Sequence, residues 1–532
     1  MSIFHNIPLL TADKLYQLLA SRFSDGHKKL KDIPSPALLK NSQKAAQRIA
    51  SAIKNREKIT LVGDYDVDGV TSTAIMVLFF REIGYPLTAI IPNRFRDGYG
   101  VNANVLQRVD ADLVITVDNG ITAVEAAAIC KERGIDLIIT DHHTPSDKLP
   151  DAYAIVNPKL DECIYPFKEI CGAEVAWLLL GLVKKELEAD VDMRQYLDLV
   201  ALAVIADVMP LYDINRAIVK EGLKQMAFSS RPSSVIIREF LNKSTLSSED
   251  IAFSIAPRIN SAGRLEDASI ALEFLTAQTL ETAAKQFEIL NNLNNIRKAT
   301  EAETTEIACL HVNSEDKVIV VAGENWHEGV VGIVASRLVN KFKKPAIVLN
   351  IHADTAKGSA RSIGDVDIFS LIHSQKELLT KFGGHKMAAG LSLHVSDIDE
   401  FKAAINREAQ NIDPNDFIPK EDILGELASE AINFELLDIL EKFEPYGEGN
   451  PRPRFLIKDA ELLQVRLFGA DRSHSRLNVR VKPYDRQTIE IVAFRQVLEV
   501  PEDKKITCSY TVNKNVFNGK TSIQLMLDNI YS

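Results

Sequence analysis

Acidic residues fall at a few defined places in this chain of 532 residues. Asp64, Asp66 and Asp68 lie in the run DYDVDG, Asp118 opens DNG, Asp141, His142 and His143 form DHH, and Asp207 lies in IADVMPL. Carboxylates brought together raise one another's pKa unless a cation sits among them. Several aspartates with an imidazole make a hard, oxygen-rich set that suits Mn²⁺ or Mg²⁺ better than zinc. Such a set is too large for one ion that must keep a position open for water. Two ions about 3.5–4 Å apart fit better, one to activate water and both to hold phosphoryl oxygens. Each motif alone has a plainer reading. A calcium loop needs Glu six residues after its glycine, and Ile75 stands there. Asp118 alone could cap a following helix, and His142 and His143 alone could be turn residues.

A second set could bind phosphate. Gly383, Gly384 and His385 open GGHKMAAG; glycines let backbone N–H groups approach an anion, and His385 adds a donor. The plain reading is a tight turn before a helix. Ser359 and Arg361 of GSARS would share one side of an extended strand, and a guanidinium fork suits phosphate. Arg94 follows the second apolar run and points to the same sheet edge as the acids. Arg258, Asn260 and Arg264 of PRINSAGR read singly as surface polar residues, and Trp326 as core. Near the C-terminus Arg472, Arg476 and Arg480 recur every four residues, which on a strand is one face. Phe468 and Phe494 are stacking rings or core. No G-x-x-x-x-G-K-[ST] occurs, which sets aside a P-loop motor.

Apolar runs define the strands and helices that carry these residues. Ile59–Gly63, Leu87–Pro92, Asp112–Val117, Ile135–Thr140 and Ala154–Val156 alternate with helical stretches over Val70–Glu82 and Ala123–Arg133. Continuous apolar strands between helices predict a parallel sheet covered on both faces. Ligands of such sheets bind beyond the carboxyl ends of the strands, where these acids fall. Residues 196–206 read as a buried helix whose end could bring Asp207 to the same place. A helical pattern without proline from about 265 to 310 predicts a long helix that is a spacer between domains. A second α/β unit comes next, with a strand at Lys317–Val321, a helix at Val330–Phe342 and a strand at Ala346–Asn350. Beyond about 420, five alternating runs predict a small OB-type β-barrel. The fold class is α/β, with a helical extension over 1–45, a catalytic domain over 46–265, a connecting long helix over 266–310, a second domain over 311–415 and the barrel over 420–532.

Composition narrows the function classes. Hydrophobic residues are 46% and charged residues 25%, ordinary for a globular protein. A net charge of −11 argues against non-specific wrapping of nucleic acid but permits a local basic channel. Residues 451–532 carry 14 Lys and Arg against 9 Asp and Glu, so this end favours polyanions. Five cysteines without C-x-x-C exclude a disulfide framework and a zinc ribbon. The N-terminus does not read as a signal peptide, and Asp198 and Asp207 interrupt the best candidate for a membrane span. The expectation is a soluble, cytoplasmic, multidomain protein.

DYDVDG, VDNG, DHH and the Asp207 segment resemble motifs I to IV of the DHH phosphoesterase family, and GGHKMAAG resembles the signature of its DHHA1 partner domain. PRINSAGR, WHEGVVGIVASR, GSARS and EPYGEGNPRPRF make the chain similar, over nearly its whole length, to the bacterial members that degrade single-stranded DNA 5′→3′. The resemblance implies two Mn²⁺ or Mg²⁺ ions with Asp66, Asp68, Asp118, His142 and Asp207 as main ligands. Asp64 would be a further ligand or a support, and His143, in the DHH run with Asp141, would lie beside the scissile phosphate. It implies a groove between the two α/β units too narrow for a duplex. It also implies a monomer partnered by a single-strand-binding protein and a RecQ-type helicase in DNA repair and recombination. One departure is Val62, where some members carry a His that could add a nitrogen ligand. Two rival functions share the fold: hydrolysis of nanoRNA or cyclic dinucleotides, against which the β-rich tail speaks, and a non-catalytic replisome scaffold, against which the complete ligand set speaks.

Overall fold

The computed structural model describes residues 7–23, 26–419, 422–481, 488–501, 503–517 and 520–531. They form two compact units, one of residues 34–207 with 221–420, the other of residues 1–33 with 208–220 and 421–532. Among the described residues no helix is long and apolar enough to cross a membrane, and the five cysteines are free.

In the first unit the strands Thr88–Ile90, Ile59–Val62, Leu113–Val117, Asp136–Thr140 and Ala154–Val156 lie side by side in that order, all parallel. The central runs ITLV and LVITV are buried at every residue. Both faces are covered, so no polar alternation survives. The helix expected from Val70 starts a turn earlier and spans Val67–Glu82. Asp66 caps it, accepting the Gly69 N–H at 3.0 Å, which satisfies one of the first turn's unbonded N–H groups. The turn can close this tightly because residue 69 is glycine: a Cβ there would lie 2.6 Å from the Asp64 Cα. The buried helix is Leu197–Ala206.

The expected continuous spacer helix is instead a short helix Ser269–Leu275, a break, and a long helix Leu280–Leu310 begun by Thr279 as its cap. Nor is the long helix a bare spacer. Ala283, Phe287, Leu290, Asn294, Arg297, Glu301, Thr304 and Ala308 are buried along it, alternating four and three residues apart, so one stripe faces its neighbours throughout. Phe287 packs on Phe240 and Phe274 with ring centroids 5.1 and 5.3 Å away. Farther along, Glu301 pairs with Arg297 of its own helix and Arg337 of the helix Val331–Phe342.

A second sheet in this unit has the order Lys381–His385, Ala388–His394, Thr355–Arg361, Ala346–His352, Ile319–Glu324. Only the last pair is parallel. The glycine-rich segment is therefore an antiparallel hairpin, not a turn before a helix. Gly384, at φ +149°, sits where a Cβ would lie 2.4 Å from the Ala388 carbonyl oxygen.

In the second unit the five expected runs form a closed barrel. Arg454–Phe468, His474–Arg480, Ile489–Ala493, Lys520–Tyr531 and Lys505–Phe517 pair in that order, and the last closes on the first. The strand Leu9–Leu10 extends this sheet through Ile423–Leu427. Leu15 and Leu19 of the helix Ala12–Ser21 join Leu436, Leu440, Phe443, Phe455 and Tyr510 in the barrel's core. The segment read as one N-terminal extension over 1–45 is thus divided, since the helix Ser42–Asn55 belongs to the first unit. The apolar stripe at Leu10, Leu15 and Leu19 needs a hydrophobic surface to cover it, and the barrel provides one.

Candidate active site

The parallel strands deliver the acids to one edge. Asp64 follows the strand Ile59–Val62, Asp118 the strand Leu113–Val117 and Asp141 the strand Asp136–Thr140. Asp118 adopts φ +61°, a left-handed turn in place of the helix cap it might have formed. Across from it, residue 172 must be glycine, because a Cβ there would lie 2.6 Å from the Asp118 Cβ. Gly172 and Ala173 open the helix Gly172–Leu187 and donate their N–H groups to Asp68 at 2.6 and 2.8 Å. The positive end of that helix so helps to hold a buried carboxylate.

His142 is the hub. Its Nε2 lies 3.2 Å from Asp118 Oδ1, 3.5 Å from Asp207 Oδ2 and 3.6 Å from Asp68 Oδ2. Three overlapping triads, Asp64–Asp66–Asp118, Asp68–His142–Asp207 and Asp118–His142–His143, each bring their donor atoms within 4.8 Å of one another. Asp118 Oδ1 and Asp207 Oδ2 are buried and accept no hydrogen bond. Burial, and then neighbouring carboxylates, push Asp64 and Asp118 well above the usual carboxylate range, Asp68 to about 6 and Asp207 to about 8. Burial, and then His143, lower His142 to about 3, so it is a neutral donor of a lone pair. Crowded oxygens without hydrogen bonds and one neutral imidazole fit hard divalent cations.

Asp141 and His143 form a different arrangement. The Asp141 carboxylate accepts the backbone N–H groups of Ile121, His142 and His143 and bonds His143 Nδ1 at 2.7 Å. Against the cost of burial, this bond and charge raise His143 to about 9, leaving an imidazolium at neutral pH, half-exposed beside Asp118. Asp141 is thereby held to His143 and to three backbone N–H groups.

The basic residues divide. Arg94 lies over the Tyr65 ring at 4.4 Å. Arg264 reaches the carbonyl oxygen of Gly329 at 3.2 Å; burial, then Arg94 and Arg297, lower it to about 10. Ser359 and Arg361 project from one side of their strand onto the start of the helix Val331–Phe342. A Cβ on Gly332 would lie 3.0 Å from Arg361 Nη2 and 3.3 Å from Ser359 Oγ. A helix N-terminus, a hydroxyl and a guanidinium meeting there make an anion cradle. The strand register places Gly383 and His385 on that same face, His385 being exposed and Gly384 facing away. Arg258 is engaged elsewhere: it stacks on Phe240 at 4.2 Å and donates to Asn291 at 2.9 Å. Asn260 is half-buried on the helix Ala256–Leu265.

The three barrel arginines are not one strand face. Arg472 sits in a turn at φ +52° before the strand begins at His474. Arg476 and Arg480 share the outer face, next to Glu490 and Glu461. Arg476 lies over Phe468 at 5.2 Å, and Phe468, His474 and half-exposed Phe494 form a ring cluster.

Sequence reasoning missed several neighbours of the site. Tyr99 places its ring 6.5 Å from His143 and 6.1 Å from Tyr65. Phe95 meets His327 edge-on at 5.5 Å. Asn119 ties Val62, Val101 and Val117 together. The motifs containing Tyr65, Asn119 and His327 were visible, but only packing shows what these side chains touch.

Comparison with known proteins finds matches in three regions of the chain. Models of the DHH family N-terminal domain, the DHHA1 domain and the RecJ OB domain match residues 58–204, 315–411 and 423–529. A Haemophilus influenzae protein named single-stranded-DNA-specific exonuclease RecJ is 34% identical, the match covering 99% of this chain and 96% of that protein. The RecJ of Bacillus subtilis is 36% identical, and the chain, with 94% of its own length matched, spans 64% of that longer protein. The Mn²⁺ complex of Thermus thermophilus RecJ superposes with a TM-score of 0.81 at 31% identity, over 93% of this chain and 72% of that one.

Proposed function

Because the chain belongs to the family of single-stranded-DNA-specific RecJ exonucleases, we propose that it hydrolyses single-stranded DNA from the 5′ end with two Mn²⁺ or Mg²⁺ ions and releases mononucleotides. The convergence of six ligand side chains on one sheet edge carries this reading. Asp66, Asp68, Asp118, His142 and Asp207 would hold the ions, with Asp64 beside them. When bound, the ions supply an activated water and neutralise charge on the phosphoryl oxygens.

The chain's own groups do the rest. The Asp141–His143 pair holds a positive charge where the scissile phosphate would lie, and its free Nε2–H can donate to a phosphoryl oxygen or to the departing 3′ oxygen. Arg264, Ser359, Arg361 and the helix at Val331 bind the 5′-terminal phosphate, with His385 and the N–H groups near Gly383 at its rim. Arg94, stacked on Tyr65, adds positive charge felt by both Asp64 and Arg264. The barrel's Arg476, Arg480 and Phe494 would bind single-stranded DNA through charge and stacking. A monomer in the bacterial cytoplasm, supplied with single strands by a RecQ-type helicase and a single-strand-binding protein, completes the reading.

The deciding experiment compares label release from 5′-labelled and 3′-labelled strands in Mn²⁺. The 5′ label should leave first as a mononucleotide, and duplex ends should resist. Release of the 3′ label first, or of neither, overturns the reading.

A further inference from the structure

Behind the acids, one buried turn touches two of them at once. Residues 171–173 lead into the helix Gly172–Leu187. Gly172 donates its N–H to Asp68 Oδ2 and Ala173 donates to Asp68 Oδ1. Each oxygen of that carboxylate is thus held by a different N–H, which sets its plane. Ser72 adds a longer bond to Oδ1 at 3.4 Å. The same Gly172 lies against the Asp118 side chain with no room for a Cβ between them. Asp68 is carried by the helix Val67–Glu82, whereas Asp118 follows the strand Leu113–Val117. The turn therefore relates two acids that arrive on different elements of one compact unit.

Glu174 holds the turn. Its Oε2 accepts the Cys171 N–H at 2.9 Å, closing the start of the helix as the third residue of a capping box does. At a surface helix end, water replaces such an acceptor when it is lost. Here Cys171 and Glu174 are both fully buried, so a lost acceptor leaves the donor unpaired. The other carboxyl oxygen, Oε1, is buried and has no hydrogen-bond partner among the described residues. Burying a carboxyl in this state is costly, and capping alone does not require it. An unsatisfied buried group calls for a further role. Glu174 belongs to none of the three triads of candidate metal ligands, and phosphate binding does not use it.

We propose that Glu174 is a positioning residue for the metal ligands Asp68 and Asp118. By holding the Cys171 N–H it fixes the turn at residues 171–173. The two N–H groups of that turn orient the Asp68 carboxylate, and its glycine backs Asp118. Glu174 itself touches neither metal nor DNA. Without its acceptor the helix end frays, Gly172 and Ala173 shift, and Asp68 loses the bonds that aim its oxygens. This rests on Asp68 and Asp118 being ligands, as the proposed function has it.

The test is Mn²⁺ binding to the full-length, DNA-free protein by calorimetry, with folding checked by thermal melting. Glu174→Met fills a similar volume without an acceptor and should weaken binding roughly tenfold, the low end of what losing the outer partner of a metal ligand costs. Glu174→Ala, which also lacks the acceptor, takes its place should the Met variant not fold. Glu174→Gln keeps a carbonyl oxygen for the Cys171 N–H and should stay within about threefold of the parent. Thr279→Ala removes a cap of the same kind from the distant end of the helix Leu280–Leu310. It should lower the melting temperature and leave Mn²⁺ affinity at the parent's value. Parental affinity without the acceptor, equal weakening by Gln, or equal weakening by Thr279→Ala each overturns the proposal. Asp68→Asn separates the two levels of the argument. If it binds Mn²⁺ as the parent does, the ligand assignment has failed and the proposal falls with it. If it weakens binding while Glu174→Met does not, the positioning role alone is refuted.

Discussion

Asp118 shows what a single residue contributes. Its left-handed turn and the absent side chain at Gly172 put a buried oxygen, without a hydrogen bond, opposite His142. Asp118→Asn or His142→Ala should lower turnover by about 10³-fold, the scale of removing one preorganised electrostatic group, with the melting curve unchanged. Chelator should abolish activity and Mn²⁺ restore it; activity of either variant near the parent's would contradict the two-ion site. The ionisations give a further check. His143, raised to about 9, and Asp207, raised to about 8, retain protons in the folded protein that the unfolded chain loses nearer pH 6.5 and 4. Stability from such groups is lost as pH rises through the folded value. His142, lowered to about 3, has the opposite sign but its effect is complete above 6.5. The metal-free protein should therefore lose melting temperature between pH 6.5 and 9, and Mn²⁺ should raise it more at pH 8 than at pH 6. A melting temperature that climbs over that window without metal would refute these assignments. At the anion cradle, Arg361→Ala should abolish a preference for 5′-phosphorylated over 5′-hydroxyl ends while changing the maximal rate less, the mark of a binding contact. Equal cutting of both ends by the parent would show that the cradle binds something else.

Elements show where a sequence pattern is read correctly and where it hides. The helix Val67–Glu82 and the first sheet follow from apolar runs, since a strand buried on both faces has little choice of composition. The long helix was legible as a helix but not as a packed one. Its buried stripe includes Asn294, Arg297, Glu301 and Thr304, polar residues that mask a heptad until their partners are seen. Phe287, in the apolar half of the stripe, gives the test. Phe287→Ala should cost about 3–4 kcal/mol in denaturant unfolding, as for a large buried ring. A loss under about 1 kcal/mol would mean that the helix behaves as a solvated spacer after all.

At the scale of the whole molecule, the N-terminal strand and helix decide how the barrel can be removed. Leu10, Leu15 and Leu19 pack into the same core as Phe455 and Tyr510, so cutting at 420 alone would leave them uncovered. A chain lacking both 1–33 and 420–532, which still carries the barrel unit's segment 208–220, should show a raised Michaelis constant for long single strands and a flatter salt dependence, each lost phosphate contact removing roughly one unit of slope. Short oligonucleotides should still be hydrolysed. An unchanged Michaelis constant for the long strand would make the barrel a brace and not a DNA-binding module.

Much of the site was written in the sequence. Strands buried on both faces announce themselves as apolar runs, and parallel connection places the residues after each run at one edge. That is why Asp64, Asp118, His142 and their neighbours could be grouped by chemistry before any coordinates. Tertiary structure alone decided the rest. It bound Asp141 to His143, tied Arg258 to Asn291 and Phe240, set Arg472 in a turn, and sent the N-terminal strand Leu9–Leu10 to the barrel. The reason is common to all four. A charged side chain is spaced identically in sequence whether it meets a ligand, a ring or a backbone carbonyl, and a two-residue strand carries no period. Only the packing of distant segments supplies the partner that tells these cases apart.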